Sequence, residues 1–131
     1  LPLWQENCLH KISDEVTRET WRRITNPKKN VFSLGIFEDT GNLEGFLHYI
    51  LHPVTGFIQP ACYMQDVFVT ENARGQGLAK RLIWELQDTG KRQNWARIYW
   101  FAENGNEAAQ NLYKNLGIRM DFSLHILPTQ E

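Results

Sequence analysis

The residues with the clearest chemical potential form a turn that carries two glycines and several cations. The turn reads Arg74-Gly-Gln-Gly77-Leu-Ala79-Lys80, and it lies between an apolar run that ends at Val69 and an amphipathic segment. Glycines let the backbone approach a ligand without interference from a Cβ atom. The first amides of a helix are unpaired donors at the positive end of the helix dipole. The turn therefore predicts an anion site that suits phosphate groups.

Three phosphate-binding motifs compete for this turn. The P-loop pattern GxxxxGK[ST] is absent. The dinucleotide pattern GxGxxG fails, because Gly75-Gln76-Gly77 is followed by Lys80 where the third glycine or alanine belongs. The third pattern, Arg-x-x-Gly-x-Ala, is matched by Arg74, Gly77 and Ala79. On its own this match does not separate phosphate binding from a plain helix start after a flexible turn.

A second motif follows about thirty residues later along the chain. Its pattern is N-x-x-A-x-x-L-Y-x-x-x-G, and it comes after a run rich in aromatic residues. The matching residues are Asn106, Ala109, Leu112, Tyr113 and Gly117. The pattern becomes much more specific when it follows the first motif at this distance.

The helices and strands that position these residues can be predicted from the periodicity of apolar residues and from the residues that begin and end helices. A helix is expected from Ser13 to Asn26-Pro27, with strands over 31–37 and 43–51 joined by a turn at 39–42. A third strand is expected over 61–69, a helix over 77–89 that stops near Gly90, and a short strand over 96–101. A helix over 106–115 and a strand over 120–127 complete the chain. This order predicts one α/β (α+β) domain, 1–131, with a mixed sheet covered by helices.

The two motifs together resemble those of the GNAT superfamily of acyl-CoA-dependent N-acetyltransferases. The resemblance runs from about Val31 to the end of the chain, with some likeness to the polyamine and histone acetyltransferases. It implies a mostly antiparallel mixed sheet flanked by helices. The family normally begins with an extra strand and helix, which this chain lacks or retains only in part. The domain is therefore expected to be N-terminally incomplete relative to the family.

The resemblance also implies roles for particular residues. Backbone groups of Val67, Phe68 and Val69 would pair with the pantetheine arm and thioester of acetyl-CoA. Asn106 would contact the coenzyme arm, and Tyr113 would face the sulfur. The expected diphosphate-binding segment consists of Arg74, Gly75, Gln76, Gly77, Leu78, Ala79 and Lys80.

Acetyl transfer to an amine needs a proton acceptor and a proton donor. An ammonium has no free lone pair, and the departing thiolate is helped by a proton. Tyr113 is the candidate acid, although the same side chain could simply pack with Leu112 and Leu116. Asp66 is the candidate base because a carboxylate among apolar strand residues calls for a reason. It could instead hold a cationic substrate or pair with backbone or an arginine, and Glu103 is a weaker alternative.

Composition and charge limit the classes of molecule that the protein is expected to bind. The net charge of −1 gives no general attraction to nucleic acid or anionic lipid. Cys8 and Cys62 are expected to be reduced and buried, and the four histidines show no metal-site spacing. We expect a cytoplasmic protein with no metal and no membrane partner. Acetyl-CoA and an amine are the expected substrates, and the resemblance favours a homodimer.

Two functions of different class remain open from the sequence. The first is acetyl transfer from acetyl-CoA to a primary amine on a polyamine-like small molecule, a lysine or a peptide. Acidic residues on the first helix (Asp14, Glu15 and Glu19) could attract a polycation, although they are equally typical of a solvated face. The second function is a non-catalytic acyl-CoA-binding sensor or scaffold. Trp4 and Trp21 could line a pocket or a dimer contact, or they could belong to the core.

Overall fold

The computed structural model describes residues 13–26 and 30–130. The chain divides into two compact units, Leu1–Phe101 and Ala102–Glu131, and each is described by itself. The expectations for Trp4, Cys8, His10 and Pro27 lie outside the described residues.

Within its described residues, the first unit is a four-stranded sheet with two α-helices. Its elements are α1 (Asp14–Thr25), β1 (Val31–Phe37), β2 (Leu43–His52), β3 (Ala61–Val69), a 3-10 turn (Glu71–Ala73), α2 (Leu78–Gln93) and β4 (Arg97–Tyr99). The strands lie in the order β1-β2-β3-β4. The β1–β2 and β2–β3 pairs are antiparallel, and β4 runs parallel to β3. This mixed, mostly antiparallel sheet confirms the predicted fold class.

Helix α1 begins and ends where its sequence predicts. The Ser13 hydroxyl accepts a hydrogen bond from the Val16 amide at 3.2 Å, which is the interaction expected of an N-cap serine. Asn26 lies at the C-terminal end. The turn between β1 and β2 is also confirmed, since Gly41 has φ +93° there and Glu38 N–H donates to Asn42 O at 2.9 Å.

The core lies between α2 and one face of the sheet. Leu78, Leu82, Ile83 and Leu86 are buried on α2, as the apolar spacing predicts. Gly45 on β2 also faces Leu82, and a Cβ atom at this position would approach the Phe68 carbonyl oxygen of the neighbouring strand to 3.0 Å. Cys62 on β3 is a buried free thiol, as expected, and burial raises its pKa to about 12.

The predicted end of α2 is wrong. The helix continues through Gly90 to Gln93, and Asn94 takes the left-handed conformation at its end, with φ 58°. A Cβ atom at Gly90 would approach the Trp95 ring to 2.8 Å. This glycine therefore makes room for an aromatic ring and does not terminate the helix. Strand β4 is shorter than predicted.

The second unit contains α3 (Glu107–Tyr113) and a long irregular segment. Asn106 caps α3 through its side chain, which accepts from the Ala109 amide at 3.1 Å. The helix is shorter than the predicted 106–115, and the strand predicted over 120–127 is wrong. These residues alternate between apolar and polar side chains, but a strand also needs a partner for its backbone groups. No described strand pairs with them.

Candidate active site

The sheet opens beside β3, which creates a free strand edge. Only the first three residues of β3, Ala61 to Tyr63, pair with β4. From Met64 onward, β3 pairs with β2 on one side, and no described strand covers its other side. This edge leaves backbone donors and acceptors available to a ligand.

The peptide groups that point into the opening can be assigned from the hydrogen-bond pattern. Thr70 N–H donates to Glu44 O of β2 at 2.8 Å. Because the direction of backbone groups alternates along a strand, Phe68 and Asp66 also point toward β2. Val67 and Val69 point the other way, into the opening. Of the three residues predicted to pair with the pantetheine arm, Phe68 therefore directs its backbone away from the free edge.

The glycine turn follows directly after this edge. Gly75 and Gly77 have φ values of 82° and 73°, and a Cβ atom at either position would meet no protein atom within 4 Å. Gly77 is the N-cap of α2 and provides no side-chain cap. The first helical amide with an acceptor is that of Arg81, which donates to Gly77 O at 3.1 Å.

The amides from Gly75 to Lys80 make no hydrogen bond within the described chain. They are donors at the positive end of a sixteen-residue helix. These donors are the groups on which the predicted anion site depends, and the site itself stays a prediction. It also lies in the same unit as the free strand edge.

Arg74 has a partner inside the protein. Its Nε donates to Val69 O at 3.2 Å, and its guanidinium lies 5.7 Å from the centre of the Phe68 ring. These contacts tie the start of the turn to the end of β3. The main-chain amides are therefore better placed than this side chain to act as the principal anion donors.

A β-bulge determines which way Asp66 faces. Asp66 lies opposite His48, whereas Met64 lies opposite Tyr49, so Gln65 is an extra residue on β3. Directly opposed residues of an antiparallel pair share a face of the sheet. The bulge consequently puts Asp66 on the same face as Tyr63, although they are three positions apart and a regular strand would put them on opposite faces.

Asp66 pairs with a buried histidine. His48 Nδ1 lies 3.0 Å from Asp66 Oδ2, and the side chains are 9% and 24% exposed. The carboxylate thus remains accessible while one of its oxygens is engaged. Sequence reasoning identified Asp66 but missed His48. The only signal was a histidine within the apolar run of β2, and the bulge hides the register that would pair it with Asp66.

An aromatic cluster adjoins this carboxylate. The Tyr63 and Tyr99 rings stack with centroids 5.2 Å apart, and Phe101 meets Tyr63 edge-on at 5.7 Å. The pKa of Tyr63 is raised by burial, by the charge of Asp66 and by Tyr99. The cluster and the carboxylate lie on the same face of the sheet, since the bulge puts Asp66 on the face of Tyr63. This cluster could not be predicted from the sequence, because it depends on the alignment of β4 with β3.

Asn106 and Tyr113 lie in the second unit, at the two ends of α3. Burial raises the pKa of the Tyr113 phenol, so the side chain remains protonated at neutral pH. The predicted residues of the first unit are Asp66, Val67, Phe68, Val69, Arg74, Gly75, Gln76, Gly77, Leu78, Ala79 and Lys80. In the structure these eleven lie on β3, on the turn that follows it and in the first turn of α2.

No group of three or more side chains suited to a metal ion occurs among the described residues. None of the helices in that part of the chain has the length and apolarity needed to cross a membrane.

Comparisons with known proteins agree on a family. The model of the acetyltransferase (GNAT) family matches residues 2–118. The D-amino-acid N-acetyltransferase HPA3 of Saccharomyces cerevisiae is 30% identical over 112 residues, which are 85% of this chain and 70% of the yeast protein.

Solved structures show the same fold. The ribosomal-protein-alanine N-acetyltransferase of Brucella melitensis has a TM-score of 0.69 and 26% identity, and the match covers 78% of this chain and 73% of that protein. AAC(6')-Iy, in complex with the bisubstrate analogue CoA-S-monomethyl-acetylneamine, has a TM-score of 0.79 and 19% identity. That match covers 95% of this chain and 86% of the other.

Proposed function

The chain belongs to the acetyltransferase (GNAT) family and is an acetyl-CoA-dependent N-acetyltransferase, and on this premise we propose that it acetylates a primary amine that binds beside Asp66. The observation that carries the proposal is the position of this carboxylate. Asp66 lies, partly exposed, on the strand whose far edge is open and whose end leads into the glycine turn. The proton acceptor and the coenzyme donors thus belong to one continuous segment.

The coenzyme would bind mainly through main-chain groups. The amides from Gly75 to Lys80, which have no partner among the described residues, suit a diphosphate. The peptide groups of Val67 and the N–H of Val69, whose carbonyl accepts from Arg74, suit the amides of a pantetheine arm. Hydrogen bonds to a charged group stabilise by about 1.5–3 kcal/mol each. A few such bonds suffice for specific binding without a cluster of cationic side chains. The predicted contact from Asn106 belongs to the same proposal.

The proposed reaction begins with proton transfer from the ammonium to the Asp66 carboxylate, directly or through water. The freed nitrogen lone pair attacks the thioester carbonyl carbon, forming the C–N bond while the carbonyl electron pair moves onto oxygen. This pair returns as the C–S bond breaks and the sulfur leaves as a thiolate. The nitrogen loses its second proton to water, and Tyr113 protonates the thiolate. A proton from water then restores the phenol, and Asp66 returns its proton to solvent. The products are an amide, coenzyme A and one proton released to solvent.

The surroundings of Asp66 favour a cationic acceptor. The partly exposed Asp66 carboxylate attracts an ammonium by its charge. Polyamines, lysine side chains and peptide amines all present such a group. The name of the yeast relative adds amino acids to the candidates. The homodimer, the cytoplasmic location and the absence of nucleic-acid partners stay predictions.

The test combines coenzyme binding with turnover. Calorimetry should detect binding of acetyl-CoA, and a thiol-release assay should reveal turnover with at least one amine among spermidine, lysine peptides, amino sugars and amino acids. Asp66→Asn should lower kcat about 100-fold, since a positioned acid or base contributes about that much or more. Its affinity for acetyl-CoA should not change.

Asp88→Asn is the matched control, because Asp88 is an exposed carboxylate on α2, away from β3. It should behave as wild type. Coenzyme binding without turnover on any amine would favour the sensor function. Normal turnover by Asp66→Asn would remove Asp66 from the mechanism.

A further inference from the structure

His48 occupies an unusual position for an ionisable side chain. It lies in the middle of β2, where the residue is 7% exposed, and its ring is 4.8 Å from that of Phe46. A polar group buried in this way destabilises a protein unless it is hydrogen-bonded. Its Nδ1 meets that need with Asp66 Oδ2 at 3.0 Å. The pairing therefore constrains both side chains.

We propose that His48 is a positioning residue that holds the Asp66 carboxylate in the orientation required for proton transfer. The proposal rests on the function proposed above. The His48 Nδ1–H group donates to Asp66 Oδ2, so Oδ1 becomes the oxygen that accepts the proton of the amine. His48 itself does not touch the substrate.

Three features of the site support this role. The Gln65 bulge brings Asp66 directly opposite His48, so the contact is built into the strand register. The Phe46 ring limits the orientations open to the imidazole. The carboxylate is more exposed than the histidine, at 24% against 9%, so the buried partner holds and the accessible partner reacts.

A carboxylate with one fixed oxygen loses fewer orientations at the moment of reaction. Small errors in the placement of a reacting group are costly, since a displacement of about 1 Å can slow an enzyme about 100-fold. Tyr63 is a second titratable side chain on the same face of the sheet as Asp66. The charge of Asp66 contributes to the raised pKa of Tyr63. Among the described residues, His48 makes a hydrogen bond to the carboxylate and Tyr63 does not, so His48 is the group suited to fix it.

The experiment compares three replacements of His48. His48→Phe keeps a buried ring but removes the donor. His48→Asn keeps an N–H close to the position of Nδ1, and His48→Gln moves the N–H farther from the backbone, toward the position of Nε2. We expect His48→Phe and His48→Gln to lower kcat about 10- to 100-fold, with acetyl-CoA affinity unchanged. His48→Asn should recover most of the loss.

A double-mutant cycle separates positioning from simple packing. In an Asp66→Asn background, His48→Phe should cause little further loss of kcat, because there is no base left to position. In an Asp88→Asn background the full loss should remain. A structural role predicts instead that the His48→Phe loss is the same in both backgrounds and follows the fall in Tm.

The outcomes distinguish this inference from the function on which it rests. Wild-type kcat in folded His48→Phe, or equal losses in the two backgrounds, would overturn the role of His48 and leave acetyl transfer intact. If His48→Phe fails to fold, the Asn and Gln variants decide, since equal activity of the two would overturn the proposal. A wild-type protein that acetylates no amine would overturn both.

Discussion

At the scale of single residues, the roles proposed for Asp66 and Tyr113 require opposite protonation states. The base must be ionised and accessible, and Asp66 is partly exposed beside a hydrogen-bond donor. The acid must keep its proton at neutral pH, and burial raises the pKa of the Tyr113 phenol. Desolvation disfavours the charged form of a phenol, so the environment of Tyr113 suits a donor. The environments of the two side chains thus match the roles proposed for them.

Replacing Tyr113 by phenylalanine tests the acid. We expect Tyr113→Phe to lower kcat at least about 10-fold, since acid catalysis is weakened, while calorimetry shows unchanged acetyl-CoA affinity. An acid is active below its pKa and loses activity as the pH rises through it. Because the pKa is raised above the ordinary value of about 10, wild-type kcat should show little loss from this group up to about pH 9.

Lys114→Gln, an exposed change at the next position, is the control for Tyr113→Phe and should behave as wild type. A Tyr113→Phe variant with normal kcat would show that another donor, or water, protonates the thiolate. An alkaline loss well below pH 10 that disappears in Tyr113→Phe would contradict the raised pKa.

The glycine turn is the feature to test at the scale of elements. A Cβ atom at Gly77 would point into space that no protein atom occupies within 4 Å. Gly77→Ala should therefore cost only the left-handed backbone conformation, about 1–2 kcal/mol. Affinity for coenzyme A should fall by more than this strain explains, because the methyl group enters the space assigned to the diphosphate. Calorimetry and thermal unfolding measure the two effects separately.

Gly41 offers a matched control for this prediction. It too has a positive φ, 93°, and open space around a Cβ atom, but it lies in the β1–β2 turn. Gly41→Ala should destabilise the protein as much as Gly77→Ala and leave coenzyme affinity unchanged. Equal affinities for the two variants would show that the glycine turn does not bind the diphosphate.

Elements with strong local signals were predictable from the sequence. The N-cap at Ser13, the turn at Gly41 and the apolar face of α2 all depend on residues close in the chain. The end of α2 was predicted wrongly at Gly90, because the local sequence does not distinguish a helical glycine that accommodates Trp95 from a glycine that ends a helix. The prediction of a strand over 120–127 was wrong for a related reason. Alternation of apolar and polar residues indicates which side chains would share a face, but it does not show that a neighbouring strand is present to pair with.

The residues of the candidate site likewise divide into those that local sequence predicts and those that it does not. The turn and Asp66 could be predicted because their chemistry is visible in consecutive residues. His48 and the aromatic pair Tyr63 and Tyr99 could not, because each depends on the register between strands. A single extra residue, Gln65, decides which side chains of β3 share a face. Local patterns do not reveal such a bulge.

At the scale of the whole molecule, charge provides little help in binding the coenzyme. Fourteen Lys and Arg residues are balanced by fifteen Asp and Glu residues, which gives −1. A negatively charged coenzyme therefore meets no general attraction. Arg74 already contacts Val69 and Phe68. Binding thus depends on main-chain donors, which exist only when β3 and α2 are folded together.

Cys62 can report this dependence. It is fully buried on β3, and burial raises its pKa to about 12, so almost no reactive thiolate exists at neutral pH. Reaction with a maleimide should require an opening that also disrupts the coenzyme site on the same strand. In a Cys8→Ser variant, which leaves Cys62 as the only cysteine, saturating acetyl-CoA should slow labelling. At 100 times Kd the expected slowing is about 100-fold.

Acetyl-CoA suits this measurement because its sulfur is in a thioester and does not consume the reagent. The same concentration should protect Gly77→Ala less, in proportion to its weaker affinity, whereas Gly41→Ala should be protected as well as the parent at a faster basal rate. If labelling of Cys62 were indifferent to bound acetyl-CoA, the thiol would be reached by a local opening that leaves the site intact. The strand edge and the core of β3 would then open independently.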